Sequence, residues 1–223
     1  MASSSNLDRL TIQTVVFDVG ETIVDESREY GSWADWLGVP RHTFSATFGA
    51  VIASGADYRD TFQVFRPGFN LTAEREARAD AGAPESFGES DLYADARPTL
   101  AALQASGLVV GIAGNQTTRA EMILHNLNLP ADWITTSEHL GAEKPSPDFF
   151  AAIANLANCA TSEILYVGDR LDNDIAPAQA MGMATVLIRR GPWGHILHDP
   201  DTEAQCLATI ASLSELVDLL ANG

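Results

Sequence analysis

Cysteine is nearly absent from this sequence of 223 residues, which contains only Cys159 and Cys206. The two residues do not have the spacing of a metal site, and each lies beside a helical pattern of apolar residues. We therefore expect two reduced, buried thiols, with neither a disulfide framework nor a zinc centre.

Positive charge is also scarce, because 13 Lys and Arg residues stand against 30 Asp and Glu residues and give a formal net charge of -17. No cluster of Lys and Arg interrupts this acidity, so a surface that binds a phosphate backbone is not expected. The sequence therefore argues against a nucleic-acid partner. An anionic substrate would need a locally positive site or a metal ion.

Long hydrophobic runs are missing as well. The first ten residues, "MASSSNLDRL", have neither the basic start nor the apolar run of a signal peptide. No apolar stretch approaches the length of about 20 residues that spans a bilayer. With 46% hydrophobic and 19% charged residues, the composition is that of a globular domain. We predict a cytoplasmic protein with no membrane partner.

Five short apolar runs rich in β-branched residues recur along the chain. They are "TVVF", "LVVGIAG", "WITTS", "EILYVGD" and "ATVLIR". Runs that are apolar throughout are typical of strands covered on both faces, as in a parallel sheet. Helical patterns separate the later runs, so the sequence predicts a doubly wound α/β fold.

Three helices have readable boundaries. Thr118 and Glu121 have the spacing of a capping box. Ser146 before Pro147 predicts a capped helix start. A final helix is expected from a stripe of apolar residues at Cys206, Ile210, Leu213, Val217 and Leu220.

The alternation of strand and helix breaks once, between the first and second strands. About ninety residues separate these strands, far more than an ordinary crossover connection. Residues 25–93 contain helix-like segments interrupted by turn sequences. We therefore predict a core domain formed by residues 1–24 and 94–223, with a helical domain inserted at residues 25–93.

Polar residues stand where several predicted strands end. They are Asp18, Gly114 with Asn115, Lys144, Asp169, and Asp172 with Asp174. Ligands of open α/β sheets bind beyond the carboxyl ends of the strands. Clustered carboxylates repel one another unless a cation joins them, so we expect a hard metal ion such as Mg²⁺ at this edge.

These segments together resemble the haloacid dehalogenase-like (HAD) hydrolase superfamily, most of whose members are Mg²⁺-dependent phosphatases. The matching motifs are "FDVGET", "AGN", Lys144 within "EKPSPDFF", and "VGDRLDND". The resemblance covers essentially the whole chain, and the insertion falls where this superfamily carries its helical C1 cap. It implies a Rossmann-like core with a cap domain at residues 25–93. It also implies hydrolysis of a small phosphorylated metabolite.

The resemblance implies a metal site and a nucleophile. Asp18 would attack phosphorus and form an aspartyl-phosphate. Mg²⁺ would be held by the Asp18 carboxylate, the backbone carbonyl of Gly20, and Asp169. Asp174 would serve as a further ligand or would hold the ligands by hydrogen bonds.

The resemblance also implies residues that bind the phosphoryl group. Lys144 would neutralise charge on the nucleophile and on the phosphoryl oxygens. Thr22 and the backbone around Gly114 and Asn115 would position that group.

Two residues depart from the superfamily's pattern. Its phosphatases usually have an aspartate, acting as general acid and base, where this sequence has Gly20, and a serine or threonine where it has Gly114. Losing a general acid typically costs about 10²- to 10⁴-fold in rate. We therefore expect slow turnover or a need for good leaving groups. Glu21, the acid next to the gap, is a candidate replacement.

Three functions follow as hypotheses. A Mg²⁺-dependent phosphatase is favoured by the acidic pair in "GDRLDND". A catalytically silent binding protein is favoured by Gly20 and Gly114. A 2-haloacid dehalogenase would need neither the missing aspartate nor a metal ion.

Overall fold

The computed structural model of the chain describes residues 11–221. The expectation that no signal peptide is present concerns residues 1–10 and lies outside the described residues. Within residues 11–221, no helix combines the length and the apolar character needed to cross a bilayer. Neither cysteine in this range forms a disulfide, and both are half-buried rather than buried as expected.

Within the described residues, the sheet has six parallel strands. Strands β1 to β6 are Thr14–Phe17, Val109–Gly114, Trp133–Thr136, Ile164–Gly168, Ala184–Ile188 and Ala208–Ile210. Their spatial order is β3-β2-β1-β4-β5-β6, the doubly wound order in which ligands bind at the switch point between β1 and β4. The predicted α/β fold with a parallel sheet is confirmed.

The chain divides into two compact units, one formed by residues 1–25 and 92–223 and the other by residues 26–91. The second unit is helical. Its helices α1 to α4 are Ser27–Leu37, Arg41–Ala53, Asp60–Phe65 and Leu71–Asp80. Whether residues 25–93 act as a cap domain stays a prediction.

The helical unit has an interior of aromatic rings. Phe62 stacks on Phe69 with ring centroids 4.6 Å apart, and Trp33 meets both rings edge-on. The guanidinium of the buried Arg78 lies 4.1 Å from the centroid of the Trp33 ring, and its charge is paired with Glu29. The aromatic residues of this segment therefore build a core of their own.

Helices of the α/β unit connect its strands. Helices α5 to α12 are Ala96–Ala105, Thr118–Asn126, Ser137–Leu140, Pro147–Ala157, Ala176–Ala180, Gly191–Ile196, Pro200–Glu203 and Ser214–Ala221. A π-helical turn at Leu171–Ile175 lies between β4 and α9. Such turns often occur at functional sites.

Two of the predicted helix boundaries are wrong and one is right. The expected final helix begins only at Ser214, because residues 208–210 form β6 and pair with β5. Thr117 rather than Thr118 caps α6, since its side chain accepts from the amide of Ala120 at 3.2 Å. The Ser146 cap is confirmed by its hydrogen bond from the amide of Asp148.

Candidate active site

Asp18 stands directly beyond β1, at the switch point of the sheet. All four residues of β1 are buried, and the strand pairs with β2 on one side and β4 on the other. The Asp18 amide continues this ladder by donating to the carbonyl of Val167 at 2.9 Å. The backbone that carries the carboxylate is therefore fixed on both sides.

Lys144 joins two of the predicted acids. Its Nζ donates to Asp18 Oδ1 and to Asp174 Oδ1, each at 2.6 Å. Lys144 is the only lysine in the sequence, and its side chain is only 1% exposed. A lysine buried between two carboxylates compensates their negative charge and contributes little to solubility.

One ammonium group does not balance the three carboxylates gathered here. Burial alone would lower the pKa of Lys144, but the charges of Asp174 and Asp18 outweigh it and hold that pKa well above its ordinary value. Burial raises the pKa of Asp174 to about 6 despite the neighbouring lysine. Burial and the charges of Asp174 and Asp18 raise the pKa of Asp169 well above its ordinary value. The cluster is therefore short of positive charge.

Asp174 lies in the π-helical turn and joins the cluster from there. Its Oδ2 accepts from the amide of Arg170 at 3.0 Å, and its Oδ1 accepts from Lys144. The side chain packs against Gly168, where an added Cβ would lie 2.5 Å from Asp174 Cγ. Glycine at position 168 therefore makes room for the buried acid.

We expect Gly168→Ala to destabilise the protein by about 1–3 kcal/mol, as overpacking of a filled interior does. Turnover should fall with it, because Asp174 has to move away from Lys144. Urea denaturation and a phosphatase assay measure the two effects. Gly88→Ala is the matched control, since an added Cβ there meets no atom of the described residues within 4 Å. Equal stability of the two variants would contradict the prediction.

Asp169 is the acid that fits a cation. Asp18, Asp169 and Asp174 can each offer one oxygen, and these oxygens lie within 4.8 Å of one another. Asp169 Oδ2 is buried and has no hydrogen-bond partner among the described residues. A buried carboxylate oxygen without a donor is costly unless a cation meets it, so this acid set fits Mg²⁺. Asp172 is exposed instead and pairs with Arg170.

The Asn115 side chain holds the backbone of Lys144. Its Nδ2 donates to the Lys144 carbonyl at 2.8 Å, and its Oδ1 accepts from the Lys144 amide at 2.7 Å. This double contact fixes the segment from which the lysine reaches Asp18. The predicted role of the Asn115 backbone toward a phosphoryl group stays a prediction.

Thr22 and Gly114 are the other two residues predicted to position a phosphoryl group. The Thr22 hydroxyl is buried and has no hydrogen-bond partner within residues 11–221. Gly114 ends β2, where an added Cβ would lie 2.8 Å from Asp18 Oδ1. A side chain at position 114 would therefore press against the Asp18 carboxylate. The contacts of Thr22 and Gly114 with a phosphoryl group stay predictions.

Glu21 has a strained and enclosed position. Its φ of 51° lies in the left-handed region, which is unfavourable for a residue with a side chain. It is buried, and its Oε2 accepts from the Tyr93 hydroxyl at 2.6 Å. An added Cβ on Gly191 would lie 2.5 Å from Glu21 Cγ. The Glu21 side chain is therefore held in this loop by Tyr93 and Gly191.

A partly buried ion pair supports this loop, and the sequence motifs did not indicate it. Arg190 Nη1 donates to the carbonyl of Thr22 at 3.1 Å and to Asp95 Oδ1 at 2.9 Å. Its guanidinium lies 4.1 Å from the centroid of the Tyr93 ring. Asp95 also accepts from the hydroxyl of Ser212 at 2.7 Å. The partners are distant in sequence, so no local pattern could have identified the network.

Solved structures share this fold. The chain superposes on the Bacillus subtilis protein YfnB, a HAD hydrolase structure bound to magnesium, with a TM-score of 0.70 and 20% identity over 94% of this chain and 98% of that one. A dehalogenase solved with an intermediate complex gives a TM-score of 0.68 and 22% identity over 95% of this chain and 98% of that one. At these identities the similarity establishes the fold alone.

Two archaeal relatives are named as phosphatases. A ribulose-1,5-bisphosphate 5-phosphatase from Halopiger xanaduensis is 36% identical over 139 residues, 60% of this chain and 58% of the relative. A glyceraldehyde 3-phosphate phosphatase from Methanocaldococcus jannaschii is 35% identical over 127 residues, 56% of this chain and 54% of the relative. The aligned part thus spans little more than half of each of these relatives.

A family model decides the wider classification. It describes haloacid dehalogenase-like hydrolases and matches residues 12–182. The match runs from β1, through the helical insertion, to the end of α9, and so includes each motif from which the resemblance was predicted. The chain belongs to the haloacid dehalogenase-like hydrolase family.

Proposed function

We propose that the protein is a Mg²⁺-dependent phosphatase that acts on a small phosphorylated metabolite through Asp18. One observation carries the proposal: the Asp18 carboxylate stands at the switch point of the sheet, hydrogen-bonded to a buried lysine and within 4.8 Å of the Asp169 carboxylate, whose Oδ2 has no hydrogen-bond partner among the described residues. The names of the two archaeal phosphatases support the same reaction type.

Asp18 is the nucleophile in this proposal. Its carboxylate attacks phosphorus, the bond from phosphorus to the leaving oxygen breaks, and an aspartyl-phosphate forms. Lys144 lies 2.6 Å from Asp18 Oδ1, so its ammonium compensates negative charge as the phosphoryl group transfers. Water then hydrolyses the aspartyl-phosphate, which releases phosphate and regenerates the Asp18 carboxylate.

Asp18 and Asp169 would hold the metal ion, with the Gly20 carbonyl as a third ligand. Both Asp174 oxygens already accept hydrogen bonds, from Lys144 and from the Arg170 amide. Asp174 would therefore mainly orient the lysine. A bound Mg²⁺ supplies positive charge that stabilises the transferring phosphoryl oxygens. Asn115 keeps Lys144 in reach by binding both ends of its backbone unit.

Removal of the metal is the direct test. We expect hydrolysis of an aryl phosphate to need Mg²⁺, to stop in EDTA, and to recover when Mg²⁺ is returned. Asp169→Asn should lower turnover by about 10²-fold or more and weaken the response to Mg²⁺. Asp172→Asn is the matched control, because that exposed acid pairs with Arg170. Equal loss in both variants would contradict the assignment of Asp169.

Two alternative hypotheses make different predictions. A 2-haloacid dehalogenase would release chloride from 2-chloropropionate without Mg²⁺. A silent binding protein would bind a phosphorylated ligand with no turnover that depends on Asp18. Both measurements use the same purified protein, so one preparation distinguishes the three functions.

A cytoplasmic location stays a prediction.

A further inference from the structure

The acids around the nucleophile are already engaged. Asp174 accepts hydrogen bonds at both oxygens, and the proposed function gives Asp169 to the metal ion. A departing group that needs a proton must therefore find it elsewhere. Within residues 11–221, the next acid along the loop from Asp18 is Glu21.

Glu21 is badly placed to give that proton. The Tyr93 hydroxyl donates to Glu21 Oε2 at 2.6 Å, so this carboxylate oxygen is already engaged by a neighbouring side chain. The stem of the side chain packs on Gly191, where even an added Cβ would lie 2.5 Å away. The carboxylate is therefore held by Tyr93 and has little freedom to turn.

Two positions close to Asp18, Gly20 and Gly114, are glycines and carry no acidic side chain. Gly20 contributes only backbone atoms. At Gly114 a Cβ would lie 2.8 Å from Asp18 Oδ1 and 3.0 Å from Val19 Cγ2, so a hydroxyl-bearing side chain does not fit against the carboxylate as it stands. The nucleophile has strong charge compensation from Lys144, but the leaving oxygen receives no matching acid from these positions.

We propose that the substrate is an acyl phosphate, the mixed anhydride of a carboxylic acid and phosphoric acid; this inference rests on the proposed phosphatase function. When no acid assists, the pKa of the leaving group decides how readily it departs. That pKa is about 4 for a carboxylic acid and about 10 for a phenol, and it is far higher for the alcohol of a sugar phosphate. A carboxylate leaves as a stable anion without a proton.

The step balances without a general acid. The Asp18 carboxylate forms a bond to phosphorus, and the bond from phosphorus to the acyl oxygen breaks with both electrons on that oxygen. The products are a free carboxylate and the aspartyl-phosphate. One water molecule then regenerates the Asp18 carboxylate and leaves inorganic phosphate and one proton.

The test compares leaving groups in one enzyme. The kcat/KM of the unmodified protein is measured with Mg²⁺ for acetyl phosphate, 4-nitrophenyl phosphate, phenyl phosphate and glycerol phosphate, and the rate of Asp18→Asn is subtracted each time. We expect kcat/KM to fall along this series, with acetyl phosphate exceeding glycerol phosphate by about 10²- to 10⁴-fold or more. The series needs no other variant to fold.

Two variants sharpen the comparison. Gly20→Asp, if it folds, should raise kcat/KM for glycerol phosphate more than for acetyl phosphate, because it adds a donor beside the nucleophile. Glu21→Gln keeps an acceptor for Tyr93 and should leave the ratio between the two substrates unchanged. A selective loss of glycerol phosphate turnover in Glu21→Gln would identify Glu21 as the donor and overturn the inference.

The remaining outcomes distinguish a failure of the acyl phosphate inference from a failure of the proposed phosphatase function. If glycerol phosphate is hydrolysed within about tenfold of acetyl phosphate in a reaction that needs Asp18, the enzyme is a phosphatase and the acyl phosphate inference is wrong. If none of the four compounds is hydrolysed in a reaction that needs Asp18, the proposed function fails and the inference fails with it.

Discussion

Asp18→Asn should reduce phosphatase turnover by about 10³- to 10⁶-fold, the range expected when a nucleophile is removed. The amide has nearly the same size as the carboxylate but does not attack phosphorus. Lys144 keeps its second partner, Asp174 at 2.6 Å, and the cluster loses one of its excess negative charges. The variant should therefore fold, so that the loss reports on chemistry.

The measurement is aryl phosphate turnover with saturating Mg²⁺, together with a urea titration that verifies folding. Asp18→Ala guards against slow deamidation of the new asparagine, and Asp172→Asn shows the effect of removing an exposed acid of the same unit. A rate equal to that of the unmodified protein in both Asp18 variants would end the phosphatase hypothesis for this substrate.

Lys144→Met should lower the free energy of unfolding by about 3–5 kcal/mol, because removing one partner of a buried ion pair leaves uncompensated charge. The methionine fills much of the same volume, so the loss is electrostatic. Three buried acids, Asp18, Asp169 and Asp174, then face one another with no ammonium group. Equilibrium urea denaturation without divalent cations measures the change.

Two conditions should reduce this loss. Mg²⁺ binds the folded acids and should restore part of the stability. Lower pH should help too: the pKa of Asp174 in the folded protein is about 6 with Lys144 present, above the unfolded value of about 4. The charge of Lys144 lowers this pKa, so Lys144→Met should raise it further. An acid whose folded pKa is raised favours the folded form as pH falls through that value, and the variant should therefore gain more stability than the unmodified protein. The loss of unfolding free energy in Lys144→Met should thus be smaller at about pH 5 than at about pH 8.

Arg41→Met is the control for Lys144→Met. It also removes one positive charge and one ion pair, but Arg41 and Asp35 are largely exposed, so the loss should be much smaller than in Lys144→Met. Similar losses in the two variants would show that Lys144 does not compensate the buried acids.

The local pattern of apolar residues was enough to predict the five longer strands. Strands such as β1 and β4 are buried on both faces and therefore read as uninterrupted apolar runs. Strand β6 was missed because it has only three residues, Ala208–Ile210, and Ile210 also falls on a helical stripe with Leu213 and Val217. A segment this short satisfies both periodicities, and only pairing with β5 decides between them.

Motif positions also indicated which acids stand at the carboxyl edge, because parallel strands bring their ends together. They did not indicate how those acids divide their tasks. Asp174 is satisfied by Lys144 and the Arg170 amide, whereas Asp169 keeps an oxygen that no donor in residues 11–221 reaches. That difference depends on a π-helical turn and on the space above Gly168, neither of which has a local sequence signature.

By itself, then, the sequence determined the fold class, since this depends on periodicity within single segments, and its motifs carried the resemblance from which the family and the site residues were predicted. Only the tertiary structure decided that Asn115 binds the Lys144 backbone, that Tyr93 holds Glu21, and that Gly114 lies against Asp18. These contacts join residues from 29 to 96 positions apart, and such contacts form only when distant strands and loops meet. The effect of Gly20 on the rate of the proposed reaction therefore depends on residues outside its own motif.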